Sequence, residues 1–194
     1  MYINEIGLFF IPAANIFLKE IDNDTLSKEV YSIRESNDGE TFSNQGGWHS
    51  KYLSDQEILN KEEFKKLSKV IKECVNVLSK KWGIRHNDLS KESFWCNINN
   101  YKDFNIPHSH PSSIMSAVYY VKTNKDSGGI VFVRPDNQKF FFVPDQVNEY
   151  TEEKSVFLPQ DGHLLIFPSY LEHYVLPNMS NEDRISIAYN FLTK

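Results

Sequence analysis

Residues 163–192 read HLLIFPSYLEHYVLPNMSNEDRISIAYNFL, and the last part of this segment decides the fold. From Arg184 to Leu192 polar and apolar residues alternate, which is the period of a β-strand with one buried face. The face that starts at Arg184 is small or polar and the opposite face is apolar: Arg184, Ser186, Ala188 and Asn190 against Ile185, Ile187, Tyr189 and Phe191. Such a strand fits a wall whose polar side lines a pocket that contains water.

The same two-residue period begins at about residue 93 and continues to the end of the chain. Proline, glycine, asparagine and aspartate residues interrupt it, as they do between strands. The predicted strands are Phe94 to Tyr101, Met115 to Lys122, Gly129 to Arg134, Phe140 to Val143, Val156 to Leu158, His163 to Pro168 and Arg184 to Leu192.

Two segments in the first half have the 3.6-residue period of amphipathic helices. One runs from Asp24 to Arg34, with Asp24 as the expected N-cap, and the other from about Lys61 to Trp82, with Asn60 as the expected N-cap. A short apolar run, Ile6 to Ile11, is predicted to be a further strand. Helices first and strands afterwards indicate an α+β protein, in which the strands form a sandwich or barrel and the helices cover one face.

Length and composition fit one globular domain, residues 1–194, with a strand-rich core at about 93–192. The net charge of -5 argues against a nucleic-acid-binding protein. The sequence has no apolar run long enough to span a membrane and no recognisable signal peptide. The two cysteines, Cys74 and Cys96, are too few for a disulfide framework. We therefore expect a cytoplasmic protein.

Three histidines form a candidate metal site. His108 and His110 are two residues apart, so that in an extended segment both side chains point to the same face. His173 lies far downstream, directly after an apolar strand. Two ligands from one strand and a third from a distant strand would occupy one side of a metal and leave the other side open. For the His-x-His motif taken alone, a pair of exposed loop histidines remains an alternative.

Arg184 and Ser186 form a candidate anion site on the polar face of the last strand. An arginine fork with a neighbouring hydroxyl can bind a carboxylate through several hydrogen bonds. The alternative for Arg184 is a surface position at the start of a strand. The histidines upstream favour the carboxylate site.

An ordered series of motifs runs through the strand-rich half. It consists of WCNIN (95–99), HSHP (108–111), SAVYYV (116–121), SGG (127–129), Gly162, FP (167–168), EH (172–173) and RIS (184–186), with N-terminal echoes in LF (8–9) and GGWHS (46–50). The series resembles a family of 2-oxoglutarate- and iron(II)-dependent oxygenases found in bacteria and their phages. It is more distantly similar to the prolyl hydroxylases of the same superfamily.

The resemblance implies a double-stranded β-helix, the jelly roll of the cupins, with the N-terminal helices packed on one face. It also implies that Fe(II) is the metal, that 2-oxoglutarate is the cosubstrate, and that an unidentified prime substrate is hydroxylated with release of succinate and carbon dioxide. His108 and His173 match the two metal histidines of the family. His110 stands where the wider superfamily has a carboxylate ligand. The cytoplasm would be that of a bacterium or of a phage-infected host.

The resemblance implies roles for the cosubstrate residues too. Arg184 matches the basic residue that binds the far carboxylate of 2-oxoglutarate, with Ser186 beside it, and Tyr120 matches a tyrosine that supports the same carboxylate. One face of an earlier strand is expected to supply a further contact, from among Asn97, Asn99 and Tyr101. The sequence does not choose between these three.

Two other classes of function use parts of the same pattern. A three-histidine dioxygenase of the cupin type would use the metal site without 2-oxoglutarate, but Arg184 and Ser186 would then have no required role. A non-catalytic β-sandwich that binds a partner would need neither the histidines nor the arginine. The presence of both sets favours the 2-oxoglutarate-dependent oxygenase.

Overall fold

The computed structural model describes residues 10–84, 89–135, 145–148 and 151–193. These ranges contain two helices and eleven strands, which are β1 (Ala14–Phe17), α1 (Asn23–Glu35), β2 (Asn44–Gln45), β3 (Trp48–His49), α2 (Glu62–Lys81), β4 (Leu89–Asn99), β5 (Phe104–His108), β6 (Met115–Lys122), β7 (Ile130–Val133), β8 (Lys154–Phe157), β9 (His163–Pro168), β10 (His173–Val175) and β11 (Arg184–Thr193).

The strands form two antiparallel sheets that face each other. The larger sheet has the order β1-β9-β6-β11-β4-β3, and the smaller one has the order β2-β5-β10-β7-β8. Successive strands alternate between the sheets over much of the chain, which is the topology of a jelly roll. The predicted α+β fold with a double-stranded β-helix is therefore confirmed.

The main hydrophobic core lies between the two helices and the outer face of the larger sheet. The apolar sides of α1 and α2 meet the apolar faces of β4, β6 and β11 in one buried cluster. Phe64 of α2 contacts Phe94 of β4, with ring centroids 5.6 Å apart. A smaller apolar cluster, which includes Tyr120 and Phe167, lies between the sheets. The helices thus cover one face of the sheet, as predicted.

The alternation in β11 has the predicted consequence. Ile185, Ile187, Tyr189 and Phe191 are buried in the core beneath the helices. The opposite face, from Arg184 to Asn190, lines a cavity between the two sheets. Because the side-chain period of a strand is two, one strand separates the hydrophobic core from the cavity.

Both predicted helix caps were wrong. Asp22 caps α1, because its carboxylate accepts hydrogen bonds from the backbone N–H groups of Asp24 (3.1 Å) and Thr25 (3.2 Å). The N-cap position of α2 is Lys61, whose side chain makes no capping hydrogen bond. The carboxylate of Glu29, on α1, accepts instead from Phe64 N at 2.9 Å. The start of α2 is thus satisfied by another helix and not by its own flanking residue.

Several strands differ from the sequence prediction. The first strand lies at Ala14–Phe17, and residues 10 and 11 of the predicted strand Ile6 to Ile11 are not extended in a sheet. The rest of that segment, and the predicted strand Phe140 to Val143, lie outside the described residues. Strands β2, β3, β5 and β10 were not predicted, because their two to five residues form neither an apolar run nor a clear alternation, and β5 contains Pro107.

The Asp22 cap predicts a pH dependence of stability. Hydrogen bonds from the Thr25 hydroxyl and backbone, and from Asp24 N, lower the pKa of the Asp22 carboxyl below its ordinary value of 3.8. A depressed folded-state pKa contributes stability above the unfolded pKa, and this contribution is lost as the pH falls through the folded value. Asp22→Asn keeps an oxygen cap without the charge.

We therefore expect the D22N protein to be less stable than wild type at neutral pH, and we expect this difference to shrink at about pH 2, as the Asp22 carboxylate takes up a proton. Urea denaturation at both pH values measures this difference. A stability difference that is the same at both pH values would contradict the role of the carboxylate charge.

Neither helix of the described part of the chain has the length and apolarity that crossing a bilayer requires.

Candidate metal and cosubstrate site

The three histidines meet where the inner strand β5 of the smaller sheet ends and the neighbouring strand β10 begins. Strands β5 and β10 pair so that His108 and His173 are directly opposite each other, and their ring centroids are 4.3 Å apart. The ring of His110 lies 5.2 Å from that of His108 and 5.3 Å from that of His173. One side-chain nitrogen from each of the three residues can lie within 4.8 Å of the other two, a spacing that allows a shared metal ion.

Hydrogen bonds fix the orientation of two of the rings. Nδ1 of His108 is 2.8 Å from the carbonyl oxygen of Ile106, and Nδ1 of His173 is 2.8 Å from that of Leu171. A carbonyl oxygen only accepts, so Nδ1 carries the hydrogen and Nε2 keeps its lone pair. Histidines that bind metals are commonly oriented in this way.

His110 is held differently. It does not belong to the same strand as His108, because β5 ends at His108, and in this respect the sequence prediction of two ligands on one strand was wrong. The backbone N–H of His110 donates to the carbonyl oxygen of Ser169 at 3.0 Å, and its own carbonyl accepts from Ser113 N at 3.0 Å. A turn after β5 therefore positions this imidazole beside the other two.

The electrostatics of the site favour neutral imidazoles. Burial and, to a smaller extent, the neighbouring histidines lower the pKa of His173 to about 3 and that of His110 to about 4. Burial also lowers the pKa of His108, against the opposing effect of the Ile106 carbonyl. Neutral imidazole is the form that binds a metal, so the protonation state fits the geometry.

A cavity of about 640 Å³ lies between the sheets, and the three histidines are part of its wall. Across the larger sheet, the strand registers place Asn97, Ser186 and Tyr120 in one row. Arg184 lies opposite Asn99 in the next row. The candidate metal ligands come from the smaller sheet and from the turn after β5, and the candidate cosubstrate residues come from the larger sheet, so that the two groups face a common space.

Arg184 is a buried cation with an unused donor. It is 1% exposed, and its Nη1 donates to the carbonyl oxygens of Ser127, Gly128 (3.4 Å) and Leu176 (3.1 Å). Its Nη2 is buried and has no hydrogen-bond partner among the described residues. Burial lowers the pKa of the guanidinium to about 10, while Tyr120 and Asp103 oppose this shift, so the group stays charged at neutral pH.

The cavity around Arg184 offers further polar groups. Burial raises the pKa of the Tyr120 phenol, so its hydroxyl remains protonated and can donate. Ser186, Asn97 and Asn99 line the same space. A buried cation with a free N–H, next to hydroxyl and amide groups, is suited to bind an anion. These residues fit the carboxylate of 2-oxoglutarate, and the three neutral imidazoles fit a divalent metal ion.

Residues 93–190 match the family model described as "Putative 2OG-Fe(II) oxygenase". The chain belongs to this family. The oxygenase uses Fe(II) as its cofactor and 2-oxoglutarate as its cosubstrate, as the sequence predicted. No curated protein sequence matches the chain.

Several solved structures share the fold of the oxygenase. A prolyl-4-hydroxylase of Pseudomonas putida is 16% identical, with 95% of this chain and 94% of that chain covered and a TM-score of 0.64. A viral collagen prolyl hydroxylase from Paramecium Bursaria Chlorella virus-1 is 14% identical, covers 92% and 94%, and has a TM-score of 0.63. A prolyl hydroxylase from Trichoplax adhaerens is 17% identical, covers 93% and 83%, and has a TM-score of 0.64. At these identities the similarity concerns the fold alone.

The structure brings together most of the residues that the sequence singled out. The metal candidates and the cosubstrate candidates all line the one cavity: His108, His110, His173, Arg184, Ser186, Tyr120, Asn97 and Asn99. Tyr101 is 48% exposed and lies outside the cavity wall. The sequence did not predict that the ring of His49 stacks on that of Trp95, with centroids 5.4 Å apart, and so brings the GGWHS segment to the cavity. The resemblance of this segment to the oxygenase family was the one sequence feature that pointed to it.

Proposed function

We propose that His108, His110 and His173 bind the iron of this oxygenase, and that Arg184 and its neighbours bind 2-oxoglutarate. The observation that carries this proposal is the pairing of three neutral imidazoles with a buried, incompletely bonded arginine in one cavity. The three imidazoles would hold the metal from one side and would leave its other side accessible from the cavity.

Bound iron(II) with 2-oxoglutarate supplies the oxidative decarboxylation to succinate and carbon dioxide and the hydroxylation of the prime substrate. The chain supplies orientation. In the proposed arrangement Arg184 and Ser186 bind the far carboxylate, and the Tyr120 hydroxyl donates to the same group. The backbone carbonyls that hold the Arg184 Nη1 fix the guanidinium, so that little side-chain entropy is lost when the carboxylate binds.

Asn97 and Asn99 are proposed as further contacts to the cosubstrate. Their amides lie on the same face of β4 as Trp95, and Asn97 is in register with Ser186. Asn99 is in register with Arg184. This placement would bring both amides next to a molecule bound between Arg184 and the metal. Tyr101 follows the same two-residue alternation, but it lies beyond the end of β4 and outside the cavity wall.

The histidine at position 110 gives the proposed metal centre an unusual charge. Three imidazoles leave the double positive charge of Fe(II) uncompensated, which would weaken iron binding and favour a dianionic cosubstrate. Replacing His110 with Asp introduces the carboxylate of the wider superfamily. We expect the H110D protein to bind Fe(II) about tenfold or more tightly than wild type, because a unit charge beside a divalent ion contributes more than one neutral ligand.

The matched control is His110→Ala, which should bind Fe(II) more weakly than wild type. Anaerobic equilibrium titration with a competing chelator measures all three proteins. Equal affinity of wild type and H110A would show that His110 does not ligate the metal.

Turnover of 2-oxoglutarate tests the proposed roles together. The protein is expected to convert 2-oxoglutarate slowly to succinate without prime substrate, and only with iron(II) and oxygen present. Because uncoupled turnover is often weak, the assay is paired with anaerobic titration of iron-loaded protein. If 2-oxoglutarate neither turns over nor changes the absorption spectrum of the metal, Arg184 is not a cosubstrate anchor, and the direct three-histidine dioxygenase becomes the better interpretation.

Family membership argues against the other two classes considered for the sequence, since neither the cupin-type dioxygenase nor the non-catalytic binding protein would require both parts of this site. That residues 1–194 form a single domain, that nucleic acid is not a partner and that the compartment is cytoplasmic remain predictions.

A further inference from the structure

The cavity continues past the candidate metal centre to a second end, which the proposed function does not use. We call this the aromatic end and define it by Phe42, Tyr52, Trp95, Ser116 and Asn190, all of which line the cavity. In the strand register, Ser116 and Asn190 form a row beyond that of Trp95, at the far side from Arg184. The aromatic end and the cosubstrate residues thus occupy opposite parts of the same floor.

A chain of aromatic rings leads from solvent to the candidate metal ligand His110. Phe42 and Tyr52 are 50% and 53% exposed, and their rings stack with centroids 5.7 Å apart. Tyr52 meets the buried Trp95 edge-on at 5.6 Å, and Trp95 lies 5.8 Å from the ring of His110. Half-exposed rings at the mouth of a cavity provide a platform for the apolar face of a ligand.

The floor of the aromatic end is polar and buried where β11 and β6 carry Asn190 and Ser116. Ser116 Oγ is 2.8 Å from Ser169 Oγ and donates to Asn190 Oδ1 at 2.8 Å. These bonds occupy the oxygen of the Asn190 amide and leave its Nδ2, which makes no hydrogen bond to another described residue. A buried amide group with a free donor beside a cavity is suited to a hydroxyl or carbonyl oxygen of a ligand.

The aromatic end has no charge to match a charged ligand. Among the described residues that line the cavity, Arg184 is the only lysine, arginine, aspartate or glutamate, and it lies at the other end of the β11 face. The rest of the polar wall consists of serine and tyrosine hydroxyls, asparagine amides and the imidazoles of the candidate metal site. A charged group placed against the buried Asn190 and Ser116, away from the metal, would lose hydration without gaining a charged side chain as a partner, so this end of the cavity favours an uncharged ligand.

The wall also favours recognition by side chains. Strand β11 lies between β4 and β6, so its backbone groups are used inside the sheet. A peptide main chain is commonly bound by the free backbone groups of a sheet edge, and the strands that carry Asn190 and Ser116 are both inner strands. Side-chain hydroxyls and amides beside an aromatic platform suit a ring that carries hydroxyl groups and has an apolar face.

We propose that the aromatic end binds the prime substrate and that this substrate presents an uncharged, hydroxyl-bearing ring of the saccharide class. The ring face lies against Phe42 and Tyr52, and ring hydroxyls bond to Asn190 and Ser116. This inference rests on the proposed function, because it takes His110 as the metal ligand that brings the substrate next to the iron.

The test is an NMR titration of protein loaded with zinc(II) and 2-oxoglutarate, observed at the indole N–H groups of its three tryptophans. The probes are methyl β-glucoside and its two charged counterparts with the same ring, the methyl glycosides of glucuronic acid and of glucosamine. The neutral glycoside is expected to shift the Trp95 signal saturably, and both charged probes should bind at least about tenfold more weakly. Trp95→Phe assigns the signal.

Alanine variants test whether Phe42 and Tyr52 contact the bound ring. Phe42→Ala and Tyr52→Ala should each weaken the binding of methyl β-glucoside about threefold to tenfold, since each removes one ring contact. The matched control is Tyr101→Ala, which removes an aromatic ring that is similarly exposed but lies outside the cavity wall. It should leave the affinity unchanged.

Three results would overturn the proposal: no shift with methyl β-glucoside, equal affinity for the charged probes, or preferred binding of the neutral peptide probe N-acetylprolinamide at Trp95. Zinc stoichiometry and 2-oxoglutarate affinity are measured on the same samples. Failure of those two measurements would contradict the proposed function, whereas normal values with no response to the glycoside would contradict only the substrate class.

Discussion

Replacing Arg184 with alanine is expected to abolish measurable binding of 2-oxoglutarate while the metal remains bound. Arg184 is 1% exposed and is the only positively charged residue in the described part of the cavity wall. Removing one partner of a buried charge pair costs about 3 to 5 kcal/mol, because the other charge is left buried without compensation. At roughly 1.4 kcal/mol per tenfold, this corresponds to a loss of a hundredfold to several thousandfold in affinity.

Isothermal titration of anaerobic iron-loaded protein measures this effect. Arg184→Lys keeps the charge without the planar fork, and we expect its affinity to lie between those of wild type and R184A. Ser186→Ala removes one hydroxyl donor and should cost about fivefold to tenfold, the value of one ordinary hydrogen bond. Near wild-type affinity in a folded R184A protein would exclude Arg184 as the anchor.

Folding of the R184A protein has to be checked separately. The Arg184 guanidinium also satisfies the backbone carbonyls of Ser127, Gly128 and Leu176, so its loss leaves these oxygens without that donor. Thermal denaturation and metal stoichiometry distinguish this structural loss from the loss of the carboxylate partner. If R184A binds iron one per chain and unfolds cooperatively, a failure to bind 2-oxoglutarate reports on the cosubstrate site itself.

Replacing His173 with alanine is expected to weaken Fe(II) binding by more than about a hundredfold and to stop uncoupled succinate formation. His173 is the most buried of the three histidines, and the Leu171 carbonyl orients its ring toward the other two. Loss of a residue that merely supports a metal ligand already costs about 10- to 100-fold, and loss of a ligand itself should cost more.

The matched control for H173A is His163→Ala. His163 lies at the start of β9 and is hydrogen-bonded to Asn15, outside the cavity wall, so its loss should leave the iron stoichiometry at one per chain. Metal analysis after gel filtration and anaerobic chelator competition give the two affinities. One iron per chain in H173A, held as tightly as in wild type, would contradict the three-histidine site.

The alternation of side chains in β11 was sufficient to predict both of its faces. A strand has a period of two regardless of what surrounds it, so Arg184 and Ser186 had to share a side opposite Ile185 and Ile187. The same local rule gave Met115–Lys122 and His163–Pro168 with the bounds that the structure has. It also grouped Tyr120 with Ser116 on the cavity side.

The helix starts show where local reasoning was insufficient. Asp22 and Asp24 are equally good caps by composition, and only the backbone path places the carboxylate of Asp22 over the first turn. The start of α2 is satisfied by Glu29, which lies 35 residues from Phe64 in sequence. A local sequence pattern cannot predict this contact, because the contact depends on how α1 packs beside α2.

The sequence by itself determined the fold class, the faces of the long strands and, with the family resemblance, the residue types of the site. The side-chain period depends only on residues that are close in sequence, so a single sequence is enough to recognise it. The tertiary structure alone decided that His108 faces His173 across two short strands, that a turn held by Ser169 brings His110 to them, and that carbonyls from two separate loops hold Arg184. These contacts join residues distant in sequence, and the closure of the two sheets on one another creates them.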